Sequence, residues 1–211
     1  DATNIEVDEN YEHIASANGW VIRSGTTLNA SIIKKADSLS VIGRAGVGID
    51  NVDISAATRK GVVVMNTPDA NTISAAEHTL ALLLSLSRNV SIGHQSLLAG
   101  NWDRHKFVGS EIRNKTLGIV GLGKIGREVM QRAQGFGMEI IGFDPFIRED
   151  LFQSDEIKLL ELDELVEKSD FITVHIPLTA NTENLFDYKM LSKMKKEARI
   201  INVARGGIIN E

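Results

Sequence analysis

The stretch Gly121-Leu122-Gly123-Lys124-Ile125-Gly126 decides how this chain folds. It follows the apolar run Thr116–Gly121, which is typical of a buried strand, and leads into the helical pattern Ile125–Phe136. Between a strand and a helix, the first glycine allows a tight turn, the second leaves room for a pyrophosphate, and the third lets the helix approach the strand. The loop amides and the positive helix end would stabilise the phosphate charges.

An acidic residue stands where a nucleotide-binding loop of this kind needs one. Asp144 ends the next predicted strand, Met138–Phe143, and lies 23 residues after Gly121. A carboxylate there can hold the ribose hydroxyls of the nucleotide, and it would repel the extra phosphate of NADP, so NAD is favoured. Two alternatives stay open at this point: a glycine turn that only packs a helix, and an adenosyl-ligand fold such as a methyltransferase.

Apolar runs alternate with helical patterns along the rest of the chain. This alternation predicts an α/β fold with a Rossmann-type doubly wound parallel sheet. The strands are rich in β-branched residues, which is typical of strands buried on both faces. A polar stretch, residues 91–114, interrupts the pattern, and Pro68 marks the predicted domain boundary. The further predicted strands are Trp20–Arg23, Leu39–Arg44, Gly61–Asn66, Phe171–His175 and Arg199–Val203, and the further helices are Thr72–Ser87, Asp163–Lys168 and Tyr188–Lys195.

Composition limits the classes of partner. The 211 residues are 43% hydrophobic and 24% charged, with a net charge of −5, which fits a globular protein of one or two domains. The mild acidity argues against a nucleic-acid or membrane partner. There is no cysteine and no apolar run long enough to span a bilayer. We therefore expect a soluble, cytoplasmic protein.

The histidines suggest no metal site. His13, His78, His94 and His105 show no metal-ligand spacing with carboxylates, so we predict no metal. On chemistry alone, His175 is a candidate general base, because it ends a predicted strand near the nucleotide loop.

Four blocks together resemble the D-2-hydroxyacid dehydrogenases, and the match covers nearly the whole chain. They are Arg44–Asp53 (RAGVGIDNVD), Asn66–Glu77 (NTPDANTISAAE), Gly121–Gly126 and Asn202–Gly207 (NVARGG). The resemblance implies two domains: an incomplete flavodoxin-like substrate-binding domain over residues 1–67, and a Rossmann NAD-binding domain over 68–211 that is incomplete at its C-terminus.

Within this family, further segments resemble the branch that takes a small phosphorylated 2-hydroxy acid. They are Ile22–Thr26, Gly43–Gly46, Asn101-Trp102, Phe136–Met138 and Phe171–Pro177. This resemblance implies NAD-dependent oxidation of 3-phosphoglycerate to 3-phosphohydroxypyruvate, the first step of serine synthesis. Two alternatives stay open: an enzyme of the family acting on glycerate, glyoxylate, lactate or formate, and an NADH-sensing corepressor of the same fold, similar to C-terminal binding protein.

The resemblance also implies roles for individual residues. Arg205 matches the family's catalytic arginine, whose guanidinium can grip a substrate carboxylate and polarise the adjacent carbonyl. The cofactor-binding positions are Val47, Gly121, Gly123, Lys124, Ile125, Gly126, Asp144, Ile176, Val203, Ala204 and Arg205. The substrate-binding positions are Arg23, Ser24, Arg44, Gly46, Asn71 and, lent by a neighbouring subunit, Arg104.

The family pattern carries three further expectations. It makes His175 a residue that lines the cofactor pocket. It also places the catalytic histidine and its glutamate partner beyond Glu211. We therefore expect a fragment that is truncated at both ends, binds NAD weakly and does not turn over substrate. It also places the apolar helix Thr72–Ser87 across a two-fold axis. We therefore expect a homodimer or homotetramer.

Overall fold

The computed structural model describes residues 16–147 and 157–211. The chain divides into two compact units between Asn71 and Thr72. The sequence places this boundary between residues 67 and 68. Each unit is built on its own parallel sheet, so the predicted α/β class is confirmed.

The smaller unit has a three-stranded parallel sheet in the order β1-β2-β3. Its elements are β1 (Gly19–Ile22), α1 (Ala30–Lys35), β2 (Val41–Arg44), α2 (Ile54–Lys60) and β3 (Val63–Asn66). The two short helices were not predicted. Side chains cap their first turns: Asn29 accepts a hydrogen bond from the Ile32 amide at 3.0 Å, and Asp53 accepts one from the Ala56 amide at 2.8 Å.

The prediction that these strands are buried on both faces is wrong for the described residues of the smaller unit. Helices α1 and α2 pack against the face that carries Ile22 and Ile42. On the other face, Val21 is 86% exposed, and Val63 and Met65 are each 55% exposed. The physical reason is that the described helices cover only one side of this sheet.

The larger unit has a five-stranded parallel sheet in the order β6-β5-β4-β7-β8. Its helices are α3 (Thr72–Arg88), α4 (Val90–Leu98), α5 (Lys124–Gly135), α6 (Leu162–Lys168) and α7 (Tyr188–Leu191), with a short 3₁₀ helix at Arg104–Phe107. Its strands are β4 (Thr116–Val120), β5 (Glu139–Phe143), β6 (Lys158–Leu159), β7 (Phe171–Val174) and β8 (Arg199–Asn202).

Helices cover both faces of this sheet, as a doubly wound fold requires. One core joins α3 and α5 to the sheet through Leu83, Ile119 and Val129. The other contains Leu165 and Val174 and packs α6 against the opposite face. The chain leaves β4 toward β5 and β6, then returns past β4 to β7 and β8. This reversal opens a crevice at the carboxyl ends of β4 and β7, which is where ligands bind in open α/β sheets.

In the larger unit, several elements differ from the prediction. Helix α4 lies inside the stretch that reads as polar, the short strand β6 was not predicted, and α7 ends at Leu191 rather than Lys195. Helix α3 has the predicted extent to within one residue, but only one of its faces is buried within its unit.

Candidate functional site

The segment from the end of β4 to the first turn of α5 contains two glycines that the fold itself requires. Gly121 has φ +96°, and a Cβ on it would lie 2.8 Å from the His175 carbonyl oxygen. A Cβ on Gly126 would lie 2.1 Å from the Gly121 carbonyl oxygen. Any larger residue at either position would push the helix, the loop or β7 out of place.

Gly123 differs, because nothing in the described protein requires a glycine there. Its backbone has an ordinary φ of −67°, and no heavy atom lies within 4 Å of the position a Cβ would take. It is the N-cap of α5, and its helix end has no side-chain cap. The space beside Gly123 and the uncapped amides of α5 therefore fit a ligand phosphate, which a Cβ would obstruct.

Asp144 follows β5 and reaches back to the glycine loop. One carboxylate oxygen accepts a hydrogen bond from the Leu122 amide at 2.9 Å, and the other accepts one from the Phe146 amide at 2.9 Å. Each carboxylate oxygen has a second lone pair, so the group can brace the loop and still accept hydrogen bonds from ribose hydroxyls. The residues at this edge of the sheet thus fit a dinucleotide with an unmodified ribose.

His175 and Ile176 follow β7 and lie next to the glycine loop. The His175 amide donates to the Val120 carbonyl at 2.7 Å, and its ring Nε2 lies 2.9 Å from the Thr173 hydroxyl. Burial lowers the pKa of His175 from 6.5 to about 4, so the ring is neutral at physiological pH. A Cβ on Gly121 would also lie 2.8 Å from the Ile176 side chain.

A turn stabilised by Asn202 presents Arg205 after β8. The side-chain Oδ1 of Asn202 accepts a hydrogen bond from the Ala204 amide at 3.0 Å, and its side-chain Nδ2 donates one to the Arg205 carbonyl oxygen at 2.7 Å. Val203, Ala204 and Arg205 are partly buried, and the Arg205 guanidinium donates to the Ala204 carbonyl at 2.7 Å. Sequence reasoning missed Asn202; its signal is an asparagine ending a strand just before small residues.

The structure therefore brings together the predicted residues of the larger unit that follow β4, β5, β7 and β8. Lys124 and Ile125 begin α5 in the same loop-to-helix segment. Arg104 is separate: it lies exposed on the 3₁₀ helix, and its Nε donates a hydrogen bond to the ring Nε2 of its neighbour His105 at 3.3 Å.

In the smaller unit, the predicted substrate residues lie at or after the carboxyl ends of its three strands. Gly46 lies under the Arg44 side chain: a Cβ on it would come within 1.5 Å of the guanidinium. The loop after β2 is tied to the end of β3, because the Asn66 side chain donates to the Val47 carbonyl at 2.7 Å. Arg23 and Ser24 are exposed in the turn after β1, and Asn71 is exposed at the end of the unit.

Within residues 16–147 and 157–211, no three His, Cys, Asp or Glu side chains are arranged to hold a metal ion. His13 lies outside the described residues. In the same ranges, no helix combines the length and the apolar character that a membrane span requires.

Comparison with known proteins agrees with this geometry. Residues 80–211 match the family described as D-isomer specific 2-hydroxyacid dehydrogenase, NAD binding domain. Across the whole chain, D-3-phosphoglycerate dehydrogenase of Methanocaldococcus jannaschii is 47% identical, and over 99% of the chain that of Rattus norvegicus is 46% identical. The chain covers 40% and 39% of these two relatives' lengths, respectively.

Solved structures of similar proteins include two with NAD bound. NAD-dependent formate dehydrogenase from Staphylococcus aureus, in complex with NAD, superposes with a TM-score of 0.88 at 35% identity over 96% of this chain and 62% of that one. D-lactate dehydrogenase from Aquifex aeolicus, complexed with NAD and lactic acid, gives a TM-score of 0.87 at 30% identity over 97% of this chain and 61% of that one.

The doubly wound parallel sheet and the glycine loop after β4 define a Rossmann-type dinucleotide-binding protein. The chain belongs to the D-isomer specific 2-hydroxyacid dehydrogenase family, and residues 80–211 match its NAD-binding domain.

Proposed function

We propose that the protein containing this chain oxidises 3-phosphoglycerate to 3-phosphohydroxypyruvate with NAD, which would make it the first enzyme of serine synthesis. The observation that carries the choice of substrate is the match over the whole chain to relatives named D-3-phosphoglycerate dehydrogenase, at 46–47% identity. The solved formate and D-lactate dehydrogenases match at 35% and 30% identity.

The residues of each unit support the proposal. In the larger unit, the glycine loop, the N-terminus of α5 and Asp144 would hold NAD, which accepts a hydride when bound. Arg205 would bind the substrate carboxylate through its planar guanidinium and polarise the carbonyl that forms as the hydroxyl carbon loses hydride. In the smaller unit, Arg23 and Arg44 supply positive charge that suits a doubly charged phosphate.

The hydroxyl proton must go to a base, and His175 is a poor candidate for that role. Its lowered pKa makes the ring a weak proton acceptor, and its Nε2 already faces the Thr173 hydroxyl. The assignment of the base to residues beyond Glu211 stays a prediction from the family resemblance. The cytoplasmic location also stays a prediction.

Steady-state kinetics of the full-length protein test the proposed substrate. We expect 3-phosphoglycerate to have a higher kcat/KM with NAD than glycerate, D-lactate or formate. A preference for an unphosphorylated acid would favour the second candidate, a different dehydrogenase of the family, which the likeness to the formate and lactate enzymes supports. NADH binding without turnover of any of these acids would favour the corepressor alternative.

We also propose that two copies of the chain associate through an apolar surface formed by α4 and the segment after it. No residue of α4 is buried within the described protein. Leu98 is 76% exposed and Trp102 is 77% exposed, and Val90, Ile92 and Leu97 are also exposed. Clustered apolar side chains of this size are typical of protein interfaces. One face of α3 packs against α5 within the unit, while Ile73 and Leu86 of the same helix are exposed. That α3 packs across a two-fold axis stays a prediction.

A further inference from the structure

The side chain of Asn51 links two loops of the smaller unit. Asn51 lies between β2 and α2, and its amide nitrogen donates hydrogen bonds to the carbonyl oxygens of Arg23 at 3.0 Å and of Thr26 at 2.6 Å. Because carbonyl oxygens only accept hydrogen bonds, the orientation of the amide group is fixed by chemistry. Its own oxygen is buried and accepts no hydrogen bond from the described residues.

The two carbonyls belong to the turn that follows β1. The Thr26 amide donates to the Arg23 carbonyl at 3.2 Å, which closes residues 23–26 into a β-turn. At its tip, Ser24 and Gly25 are exposed, and their main-chain amides make no hydrogen bond with any described residue. The turn thus offers two main-chain donors beside the Arg23 side chain, a combination that suits an anionic oxygen.

Main-chain bonds hold the residues just after the turn. The Leu28 amide donates to the Asn51 carbonyl at 2.8 Å, and the Asp53 amide donates to the Leu28 carbonyl at 2.9 Å. Among the described residues, the turn itself is held to the rest of the unit by one side chain, that of Asn51. The short side chain of asparagine carries two N–H donors on one uncharged amide group, so it can bind both carbonyl oxygens. An aspartate carboxylate at the same position would repel both oxygens.

We propose that Asn51 is a positioning residue, which holds the turn of residues 23–26 so that the amides of Ser24 and Gly25 and the guanidinium of Arg23 bind an anionic group of the substrate. This inference rests on the proposed function, because it takes its ligand from the 2-hydroxy acid. Asn51 does not touch the ligand, and it acts through the geometry of the turn.

Two near-isosteric variants test this role. Asn51→Leu removes both donors without adding charge. Lys60→Met is the matched control, because the Lys60 ammonium also bridges two carbonyls, those of Ile33 and Lys34, at the C-terminal end of α1. That end lies at the sheet edge opposite the turn, since α1 runs back toward the start of β2. Asn51→Ala serves as a second variant if the leucine disturbs folding.

The measurement is an NMR titration of the full chain with 3-phosphoglycerate at saturating NADH, following the amide signals of Ser24 and Gly25. We expect saturable shifts in the unmodified chain and in Lys60→Met. In Asn51→Leu and Asn51→Ala, we expect the dissociation constant to rise about tenfold, the effect of losing two hydrogen bonds. NADH affinity should be equal in all four proteins.

The outcomes separate the two proposals. Equal affinity of the Asn51 variants and the unmodified chain would overturn the role of Asn51 and leave the proposed function in place. Shifts with glycerate or lactate, but none with 3-phosphoglycerate, would contradict the proposed substrate, and the Asn51 comparison would then be made with the acid that binds. No shift with any of these acids would overturn both.

Discussion

Burial, rather than residue type, sets the chemistry of His175. His175 directly follows β7 beside the nucleotide loop, which is where residue chemistry alone suggests a base. Removing the ring from water disfavours the charged form and lowers its pKa to about 4. The same shift makes the stability of the protein depend on pH.

We predict that the free energy of unfolding decreases as the pH falls from about 6.5 toward 4, by up to roughly 3 kcal/mol for this group. The folded-state pKa of His175 lies below the unfolded value of 6.5, so the unfolded chain takes up the proton first and is favoured by acid. Urea unfolding at several pH values between 7.5 and 4.5 measures the effect.

The variant His175→Gln should reduce this dependence on pH, because it removes the buried titrating ring. His78→Gln is the matched control, since His78 is exposed on α3, and it should keep the slope of the unmodified chain. An unchanged slope in His175→Gln would contradict the prediction.

Single residues were predictable where their role depends on neighbours in the chain. The glycines of the loop and Asp144 could be recognised because strand, turn and helix follow each other directly. Asn51 could not, because the carbonyls that it binds belong to residues 28 and 25 positions earlier. An asparagine between a strand and a helix reads as an ordinary turn residue until the fold brings its partners close.

At the scale of elements, the turn from β4 into α5 contains one glycine that packing requires, Gly126, and one that packing does not require, Gly123. Gly126 allows α5 to approach the loop closely, and Gly123 faces open space. The two positions should therefore respond differently to the same added methyl group.

We predict that Gly123→Ala leaves the melting temperature unchanged and weakens NADH binding at least about tenfold, because its methyl group would occupy the space for the pyrophosphate. Gly126→Ala should lower the stability by about 1–3 kcal/mol, because its Cβ would overlap the Gly121 carbonyl. Thermal unfolding and NADH fluorescence titrations measure the two effects.

Gly135→Ala is the control for both variants. Gly135 ends the same helix, no heavy atom lies within 4 Å of its Cβ position, and alanine is the better helix former. Stability and NADH affinity should both be maintained. A Gly123→Ala variant that binds NADH as the unmodified chain does would contradict the proposed site for the pyrophosphate.

Elements were predictable where their hydrophobic pattern is long or strongly apolar. Strand β4 and helices α3 and α5 are within one residue of the prediction at each end, because their apolar positions repeat over several turns or fill a buried strand. Helices α1 and α2 have six and seven residues, too few to establish a period. Helix α4 has no buried residue. It therefore lacks the apolar face by which a surface helix is recognised in a sequence.

At the scale of the whole molecule, α4 and the segment after it carry five exposed apolar residues: Val90, Ile92, Leu97, Leu98 and Trp102. We predict that the chain is a dimer at micromolar concentration and that Leu98→Asp together with Ile92→Asp produces a monomer, because each charge would be buried without a partner. Size-exclusion chromatography with light scattering measures the mass of each protein.

Tyr188→Asp provides the control for this experiment. Tyr188 is also exposed, but it lies on α7 in a different part of the larger unit, and its variant should remain a dimer. A monomeric unmodified chain, or a dimer that persists in the double variant, would exclude α4 as the interface.

Local patterns were sufficient for the fold class, the parallel sheets and the nucleotide loop. The reason is that strand, glycine turn, helix and acid lie within about 30 consecutive residues and meet through a single βαβ unit. Long-range contacts decided the rest: which face of the small sheet its helices cover, the neutrality of His175, and the support of the turn of residues 23–26 by Asn51. These properties arise from burial and from partners distant in the chain, which a linear pattern does not contain.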